Sequence, residues 1–316
     1  MPEQISRRDL LTVAYVGTAT VGLAPGSLLA APASEAQPFG YCLNMSTIRG
    51  QNLTVPQQVE VAAKTGYNGI EPWVGDVRKY AEQGGSLSDL RKQIEDAGLS
   101  VASVIGFAEW IVDDESQRAK GLENAKRDME LTQQIGGKRI AAPPAGATKQ
   151  AGLSLKHAAE RYRVLLDAGK QIGVVPQLEL WGFSAVLSRL SELMYVAIES
   201  GHPDACLLPD VYHLYKGGSD FAGLRLVNGR SIHVLHLNDY PAKPDRQSIS
   251  DADRVYPGDG VAPLSTILRD LHEIGFRGML SLEVFNREYW KQEAVAVARI
   301  GLEKMKAATR ASLAAT

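Results

Sequence analysis

Four short apolar segments in the second half of the chain each end on an acidic or imidazole side chain. These side chains are Glu179, Asp210, His236 and Glu283. If the segments are parallel strands, their carboxyl ends lie together at one end of the sheet. Three carboxylates converging with an imidazole in an apolar mouth would repel one another and be costly to desolvate. A divalent cation removes that conflict, so the pattern predicts a metal site.

The ligand types indicate which ion the site would hold. Carboxylate oxygens dominate the set, and His236 supplies the one nitrogen. Such a donor set favours a hard or borderline ion, namely Mn²⁺, Mg²⁺ or Co²⁺, while Zn²⁺ also accepts these ligands. We therefore expect one divalent metal ion as the cofactor.

The elements that must position these residues alternate regularly along the chain. Eight short β-like segments alternate with amphipathic helical patterns, several of which end at glycine. This order predicts an α/β fold, a (β/α)8 TIM barrel in one domain. The alternative, a doubly wound open sheet, would usually carry a glycine fingerprint after the first strand, where this chain has Asn44-Met45-Ser46-Thr47. The predicted strands are 39–44, 67–73, 100–106, 138–143, 174–181, 205–210, 231–238 and 278–285; the predicted helices are 55–65, 87–97, 115–135, 155–171, 184–199, 220–228, 264–274 and 287–308.

Composition and charge argue against some partners, although a local basic patch would still be compatible with them. The 316 residues carry a formal net charge of -2, which gives no global attraction for nucleic acid or anionic membranes. Cys42 and Cys206 are too few for a disulfide framework or a cysteine metal cluster. Both lie in apolar, strand-like segments, so we expect buried free thiols, with a single bridge between them as the alternative.

The N-terminal segment has the features of an export signal. Ser6-Arg7-Arg8-Asp9-Leu10-Leu11 resembles the twin-arginine motif, and a moderately apolar stretch follows over 10–30. Ala31-Pro32-Ala33 offers a cleavage site, with Ser34-Glu35-Ala36 as a second choice. We predict a cleaved signal over 1–36, a barrel domain over 37–316, and a periplasmic or secreted mature protein outside the membrane. The alternatives are a disordered tail or an uncleaved anchor.

The longest irregular connection spans 239–263, after the seventh predicted strand. It includes the run Arg254-Val255-Tyr256-Pro257-Gly258-Asp259-Gly260. Long connections without secondary structure in a compact domain are often lids or substrate-binding loops. On a barrel this one would lie at the C-terminal face, where active sites are found.

Several motifs together resemble those of one family. Over roughly 39–305 the chain resembles the xylose isomerase-like TIM barrels, which include ketohexose 3-epimerases, hydroxypyruvate isomerases, inosose dehydratases and endonuclease IV. The order Glu, Asp-x-x-His, His, Glu is fairly specific for this superfamily but does not choose among its activities. The motifs are Gly-Tyr-Asn-Gly-Ile-Glu (66–71), Leu-Glu-Leu-Trp (178–181), Asp-Val-Tyr-His (210–213), His-Leu-Asn-Asp (236–239), Pro-Gly-Asp-Gly (257–260) and Ser-Leu-Glu (281–283).

The resemblance implies roles for individual residues. Glu179, Asp210, His236 and Glu283 would be the metal ligands, and Glu179 and Glu283 would also act as the acid/base pair on opposite faces of the substrate. His213 would bind a substrate hydroxyl or oxyanion, or else support Asp210. A homodimer is an expectation at the level of the family.

Further substrate contacts are predicted from position. Glu71 ends the second predicted strand, where it would bind substrate or hydrogen-bond the adjacent loop, and Trp181 would stack on a sugar face or pack the barrel mouth. Arg254 would bind substrate from the long loop.

The chain departs from the ketohexose 3-epimerases at two positions. Ala185 stands where they carry a second Glu, and Ala242 stands where they carry an Arg. Lys243, Arg246 or Arg254 would have to supply the missing cation from the long loop. These departures argue against a free ketohexose as the substrate.

Four functions follow from these observations. The favoured one is a metal-dependent isomerase or epimerase of a keto sugar or related polyol carbonyl compound, working through an enediolate. The second is a lyase or dehydratase acting on a keto-glycoside or inosose-like substrate after the same proton removal. A repair endonuclease is disfavoured because strands two to four offer no His ligand, and a non-catalytic sugar-binding protein would not need both Glu179 and Glu283.

Overall fold

We describe a computed structural model of the chain over residues 38–314. The predicted export signal over 1–36, and with it the domain boundary at residue 37, lies outside the described residues. Within 38–314, no helix is both long enough and apolar enough to cross a membrane. Cys42 and Cys206 are both buried and unbridged, as predicted.

Eight parallel strands form the barrel, and every one lies inside the corresponding predicted segment. Hydrogen-bonded ladders join β3-β2-β1-β8-β7 and β4-β5-β6. Val104 and Ala141 carry the backbone bonds that join the β3 and β4 segments, and the parallel bridges Leu207–Ile232 and Asp210–His236 join β6 to β7. These contacts close the cylinder. The strands are β1 (Gly40–Asn44), β2 (Gly69–Glu71), β3 (Ser100–Val101), β4 (Arg139–Ala142), β5 (Val175–Glu179), β6 (Leu207–Leu208), β7 (Val234–Leu237) and β8 (Met279–Leu282).

Nine α-helices in the described part of the chain surround the strands. Their apolar faces pack on the outside of the barrel, as the helical periodicity requires. The (β/α)8 TIM barrel predicted from the sequence is therefore the observed fold. The helices are α1 (Val55–Thr65), α2 (Val74–Glu82), α3 (Leu87–Asp96), α4 (Glu115–Gln134), α5 (Leu155–Ile172), α6 (Leu190–Ser200), α7 (Val211–Gly217), α8 (Leu264–Glu273) and α9 (Ala294–Leu313).

Some predicted helix bounds were wrong. The helix predicted from residue 184 begins only at Leu190, because Leu187 has a left-handed φ of 52° and the backbone N–H of Trp181 donates to the Leu187 carbonyl. The helix predicted over 220–228 is a short 3-10 segment, Phe221–Leu226. The helix predicted from residue 287 begins at Ala294, where the Glu293 carboxylate accepts from the first backbone N–H groups. The short helices α2 and α7 were missed.

The barrel interior changes from apolar to polar toward the C-terminal ends of the strands. Cys42 and Val234 belong to a small apolar cluster inside the barrel. Two residues further along the same strands, Asn44 and His236 are fully buried polar side chains. Since side chains two apart on a strand share a face, this alternation places a polar layer directly above the apolar one. That polar layer is the floor of the candidate site.

Candidate metal centre and active site

Four predicted site residues meet around one nitrogen. The Nδ1 atom of His236 lies 3.2 Å from Oε2 of Glu283, 3.6 Å from Oε1 of Glu179 and 3.6 Å from Oδ2 of Asp210. Ligand atoms of Glu179, His236 and Glu283 all lie within 4.8 Å of one another. All four residues are buried. The strand ends thus bring together the residues that the sequence analysis selected.

Local backbone structure explains why these side chains converge. Glu179 is the last residue of β5, and the parallel bridge between Asp210 and His236 holds the ends of β6 and β7 side by side. Asp210 also caps α7, since its Oδ1 accepts from the backbone N–H of His213 at 2.8 Å. The Asp-x-x-His spacing is therefore the first turn of a helix that begins at the site.

Glu71 lies behind His236 instead of in the cavity. Its Oε2 is 3.1 Å from Nε2 of His236 and accepts from Ser281 Oγ at 2.7 Å and Asn44 Nδ2 at 2.9 Å. Although burial opposes ionisation, His236 and these hydrogen bonds leave the pKa of Glu71 below its usual value. A charged carboxylate at Nε2 fixes the imidazole ring and turns Nδ1 toward the other carboxylates. In place of the substrate contact predicted for Glu71, the structure thus gives a support for His236.

Arg254 reaches the cluster from the long loop. Its Nη1 donates to Asp210 Oδ2 at 3.0 Å and to Glu283 Oε2 at 2.8 Å, and its Nη2 is 3.0 Å from Nε2 of His213. The guanidinium lies over the ring of Tyr212, 4.4 Å from its centroid, and the side chain is only 1% exposed. Of the three cations considered for this role, Arg254 is the one at the site; Lys243 and Arg246 are exposed.

The loop that carries Arg254 is organised by Asp239, the last residue of the His-Leu-Asn-Asp motif. The Asp239 carboxylate accepts from the backbone N–H groups of Gly258, Gly260 and Ala262 at 2.9–3.1 Å. A Cβ at Gly260 would come within 2.3 Å of Asp239 Oδ1, so glycine is required there. An antiparallel bridge joins Asp239 to Val255. Because Val255 is anchored in this way, its neighbour Arg254 is held over the barrel mouth.

Electrostatic interactions in the cluster shift the pKa values in opposite directions. Burial, together with the Glu283, Asp210 and Glu71 carboxylates, raises the pKa of Glu179 to about 8 despite the nearby imidazole. Although burial opposes protonation, Glu283 and Glu71 hold the pKa of His236 well above its usual value. For Asp210, burial is outweighed by Arg254, which holds its pKa below the usual range. The protein's own charges therefore leave an excess of negative charge around His236.

The donor set fits a divalent cation. His236 Nδ1 and Glu179 Oε2 are buried side-chain atoms without a hydrogen-bond partner among the described residues. Buried polar atoms are normally paired, so each unpaired one needs an explanation. A cation bound between Glu179, His236 and Glu283 would satisfy both atoms. Asp210 is less available than predicted, because its Oδ2 already accepts from Arg254 and, at 3.1 Å, from Asn238.

A cavity of about 150 Å³ opens above the cluster. Glu179 and Glu283 lie in its wall, so both carboxylates of the predicted acid/base pair are accessible to a small molecule. Trp181 also lines it, and the substrate contact predicted for this residue stays a prediction. The remaining lining residues are Trp73, Ile105, Phe107, Phe183, His213, Asp251, Arg254 and Phe285.

Comparison with known proteins agrees with the fold and the order of motifs. The family model described as xylose isomerase-like TIM barrel matches residues 59–308. The chain belongs to this family. A relative from Bacillus velezensis, an inosose isomerase, is 28% identical over 257 residues, covering 80% of this chain and 91% of the relative. A 3-dehydroshikimate dehydratase from Pseudomonas aeruginosa is 27% identical over 240 residues, covering 74% of this chain and 36% of the relative.

Among solved structures, one of the IOLI protein with a binding zinc atom superimposes with a TM-score of 0.81 at 23% identity. The superposition covers 87% of this chain and 99% of that one. Family membership confirms the resemblance predicted from the motifs, and the structural similarity confirms the barrel.

Asn44 and Asn238 were not selected from the sequence; they contact residues of the site but do not line the cavity. Asn44 donates to both Glu71 and Glu283, at 2.9 Å and 3.1 Å, and Asn238 donates to Asp210. Asn44 and Asn238 each lie at the end of a predicted strand, so position alone offered a weak signal for them. The positions of the two departures, Ala185 and Ala242, are exposed and do not line the cavity.

Proposed function

We propose that this protein is a divalent-metal-dependent isomerase or epimerase acting on a keto sugar or a related polyol carbonyl compound. The observation that carries the proposal is the position of Nδ1 of buried His236: it has no hydrogen-bond partner among the described residues, and it faces Glu179 and Glu283 where both line a cavity. Inosose isomerases among the relatives support the same class of substrate. Glu179, His236 and Glu283 would hold the ion, with Asp210 as the fourth predicted ligand.

A bound divalent cation would supply Lewis-acid polarisation of the substrate carbonyl, which acidifies the proton on the adjacent carbon. Mn²⁺, Mg²⁺ and Co²⁺ suit the oxygen-rich ligands, and Zn²⁺ is also compatible with them. The ion would also favour ionised Glu179, whose pKa of about 8 otherwise leaves much of it protonated at neutral pH.

Two carboxylates of the protein would carry out the two proton transfers. One of the two cavity carboxylates, Glu179 or Glu283, removes the proton next to the carbonyl, and the other returns a proton to the opposite face or to the neighbouring carbon. Arg254 donates to Glu283 and so holds its carboxylate in place.

His213 is suited to bind a substrate oxygen. Its Nε2 faces the permanently protonated Arg254 and therefore acts as an acceptor, which leaves the proton on Nδ1. Burial and Arg254 lower the pKa of His213, so the ring is neutral. Nδ1 has no partner among the described residues, and His213 lines the cavity. It can donate one hydrogen bond to a hydroxyl or developing oxyanion.

A lyase or dehydratase is the second candidate, favoured by the 3-dehydroshikimate dehydratase among the relatives. Removal of the same proton followed by loss of a β-oxygen substituent needs the same base and the same polarised carbonyl. The two functions differ in whether a leaving group is aligned beside the base.

One experiment separates these outcomes. Full-length protein loaded with Mn²⁺ is incubated in D₂O with a panel of keto sugars, inososes and keto-glycosides, and the products are followed by NMR. Deuterium at the carbon next to the carbonyl in an isomeric product supports the isomerase or epimerase, and an eliminated fragment supports the lyase. Absence of exchange across the whole panel would overturn the proposal.

A further inference from the structure

A continuous arc of aromatic rings borders the cavity. In order around the mouth the rings are Phe285, Trp73, Phe107, Trp181 and Phe183, and we call them the aromatic arc. Neighbouring ring centroids are 6.4, 4.9, 6.1 and 5.5 Å apart, which are contact distances for aromatic pairs. The rings come from the connections after β2, β3, β5 and β8, so half of the barrel contributes to one surface.

The arc is held in place but is not buried. Trp73 donates from Nε1 to Ser46 Oγ at 2.9 Å, and the Arg49 guanidinium lies 3.8 Å from the centroid of its ring. Phe107 is nevertheless 39% exposed and Phe183 is 49% exposed. Apolar surface gathered at the mouth of a cavity is unfavourable in water and typically marks a binding site. The arc is therefore a preformed apolar surface.

The rest of the cavity lining is polar apart from Ile105, and it consists of Glu179, Glu283, His213, Asp251 and Arg254. His213 contacts Phe183 at one end of the arc, and the Arg254 guanidinium lies 5.1 Å from the ring centroid of Phe285 at the other end. A single sugar ring would place its polar groups against these side chains and could stack one face on an aromatic ring such as Trp181, but it is too small to cover all five rings of the arc. The volume of about 150 Å³ is also below the ~300–1,000 Å³ that is usual for pockets enclosing larger ligands. The enclosed part suits the reacting end of a longer molecule, and the exposed rings continue outward from it.

We propose that the aromatic arc is a subsite for a flat, apolar group attached to the sugar, so that the substrates are aryl glycosides whose sugar ring carries the ketone. The sugar end of this assignment rests on the proposed function, whereas the preference for an aryl group rests on the arc alone. The aryl group lies against Phe107, Trp181 and Phe183 while the sugar reaches Glu179 and Glu283.

Equilibrium binding tests the aryl preference without turnover. Phenyl β-D-glucoside and methyl β-D-glucoside have no carbonyl, so neither offers an acidified proton, and they differ only in the group assigned to the arc. By isothermal titration calorimetry on the full-length, Mn²⁺-loaded protein, we expect the phenyl compound to bind about tenfold more tightly. Equal affinities, or no measurable binding of the phenyl compound, would overturn the proposal.

Two variants test whether the aromatic arc causes the tighter binding of the phenyl compound. Phe183→Ala and Phe107→Ala each remove an exposed ring, so both proteins should fold, and each should cost the phenyl compound about threefold to tenfold in affinity. The matched control is Tyr195→Ala, which removes a ring of similar exposure, 41%, on α6 outside the cavity. The control should leave the ratio of the two affinities unchanged. A ratio that survives both arc substitutions would contradict the assignment.

Failure of this inference is distinguishable from failure of the proposed function. If small keto sugars exchange their proton in D₂O but phenyl and methyl glucosides bind equally, only the aryl subsite is wrong. If the phenyl preference is present and depends on Phe183 but no keto compound exchanges, the subsite stands and the isomerase proposal falls.

Discussion

The two ends of the barrel differ in both cavity size and charge. At the C-terminal ends of the strands, which we call the upper end, a cavity of about 150 Å³ is lined by the buried carboxylates Glu179 and Glu283. At the opposite end, which we call the lower end, a larger basin of about 1,020 Å³ is lined by several basic side chains. Helix C-termini lie at that lower end, where their dipoles favour cations. The reacting end is therefore indicated by its buried charged side chains, and not by the size of its cavity. The basic residues of the basin are Lys138, Arg139, Arg230 and Arg277.

Two histidines show the same contrast within three residues of the chain. His233 lines the lower basin, where burial and then Arg139 lower its pKa to about 4. His236 lies at the upper end, where Glu283 and Glu71 overcome burial and raise its pKa well above the usual value. Two histidines, one directly before β7 and one within it, thus have opposite preferences for a positive charge.

The largest expected effect is on turnover, and it should be confined to the upper end. Glu283→Gln and Glu179→Gln each remove a proposed acid/base group while preserving shape, so we expect the turnover rate to fall by about 10²–10⁴-fold. The control is Glu273→Gln, which changes an exposed carboxylate at the lower basin and should leave the rate unchanged. Full activity in both upper-end variants would show that the acid/base roles are assigned to the wrong residues.

The second-largest expected effect is a loss of stability when the buried guanidinium of Arg254 is removed. Arg254→Ala leaves Asp210 and Glu283 without their cation, so in the presence of chelator we expect the free energy of unfolding to fall by about 3–5 kcal/mol. Arg254→Lys should recover part of this loss. Arg139→Ala is the control at the lower end, because Arg139 forms no ion pair within residues 38–314 and is only partly buried. Urea unfolding curves measure all three variants, and equal losses for Arg254→Ala and Arg139→Ala would contradict the contrast between the ends.

A smaller effect is expected from the carboxylate behind His236. Glu71→Gln weakens the hydrogen bond that fixes the imidazole, so we expect the affinity for Mn²⁺ to fall by about 10–100-fold. Asp128→Asn is the matched control, since Asp128 is a buried carboxylate paired with Arg78 away from the cavity. Competition with a chelator of known affinity gives the constants. An unchanged affinity in Glu71→Gln would show that Glu71 only fills space.

The smallest effect is a pH dependence at the lower end. Because the pKa of His233 is about 4 in the folded protein and near 6.5 when unfolded, the unfolded chain binds more protons between those values. The contribution of neutral His233 to stability is therefore complete above pH 6.5 and is lost as the pH falls toward 4. We expect His233→Gln to reduce the fall in unfolding free energy over this window. A steeper fall in the variant would show that the sign is wrong.

The strands could be predicted from the sequence better than the side-chain contacts at the site. Glu179, Asp210, His236 and Glu283 could be selected because each ends an apolar segment, and a parallel barrel brings such ends together. The role of Glu71 could not be predicted, since it depends on which way the His236 ring turns. Arg254 was only one of three candidate cations, because the bridge from Asp239 to Val255 that positions it has no local sequence pattern.

The departures in helix bounds have a similar cause. Leu187 interrupts the helix predicted from residue 184 because its backbone is left-handed, and a leucine in the sequence gives no sign of that conformation. The helix α2 begins at Val74, and its N-cap residue Trp73 makes no side-chain capping bond. The helix is anchored instead by the backbone N–H of Val74, which donates to the Ile105 carbonyl at 3.0 Å. Such tertiary contacts override local propensity.

Binding of Mn²⁺, followed by electron paramagnetic resonance during titration of the full-length protein, tests the central claim most directly. We expect one equivalent of ion to bind per chain, and His236→Gln to abolish this stoichiometric binding while His233→Gln preserves it. If no stoichiometric ion binds, or if the His236 variant binds it as well as the parent protein, the cluster at the upper end is not a metal centre.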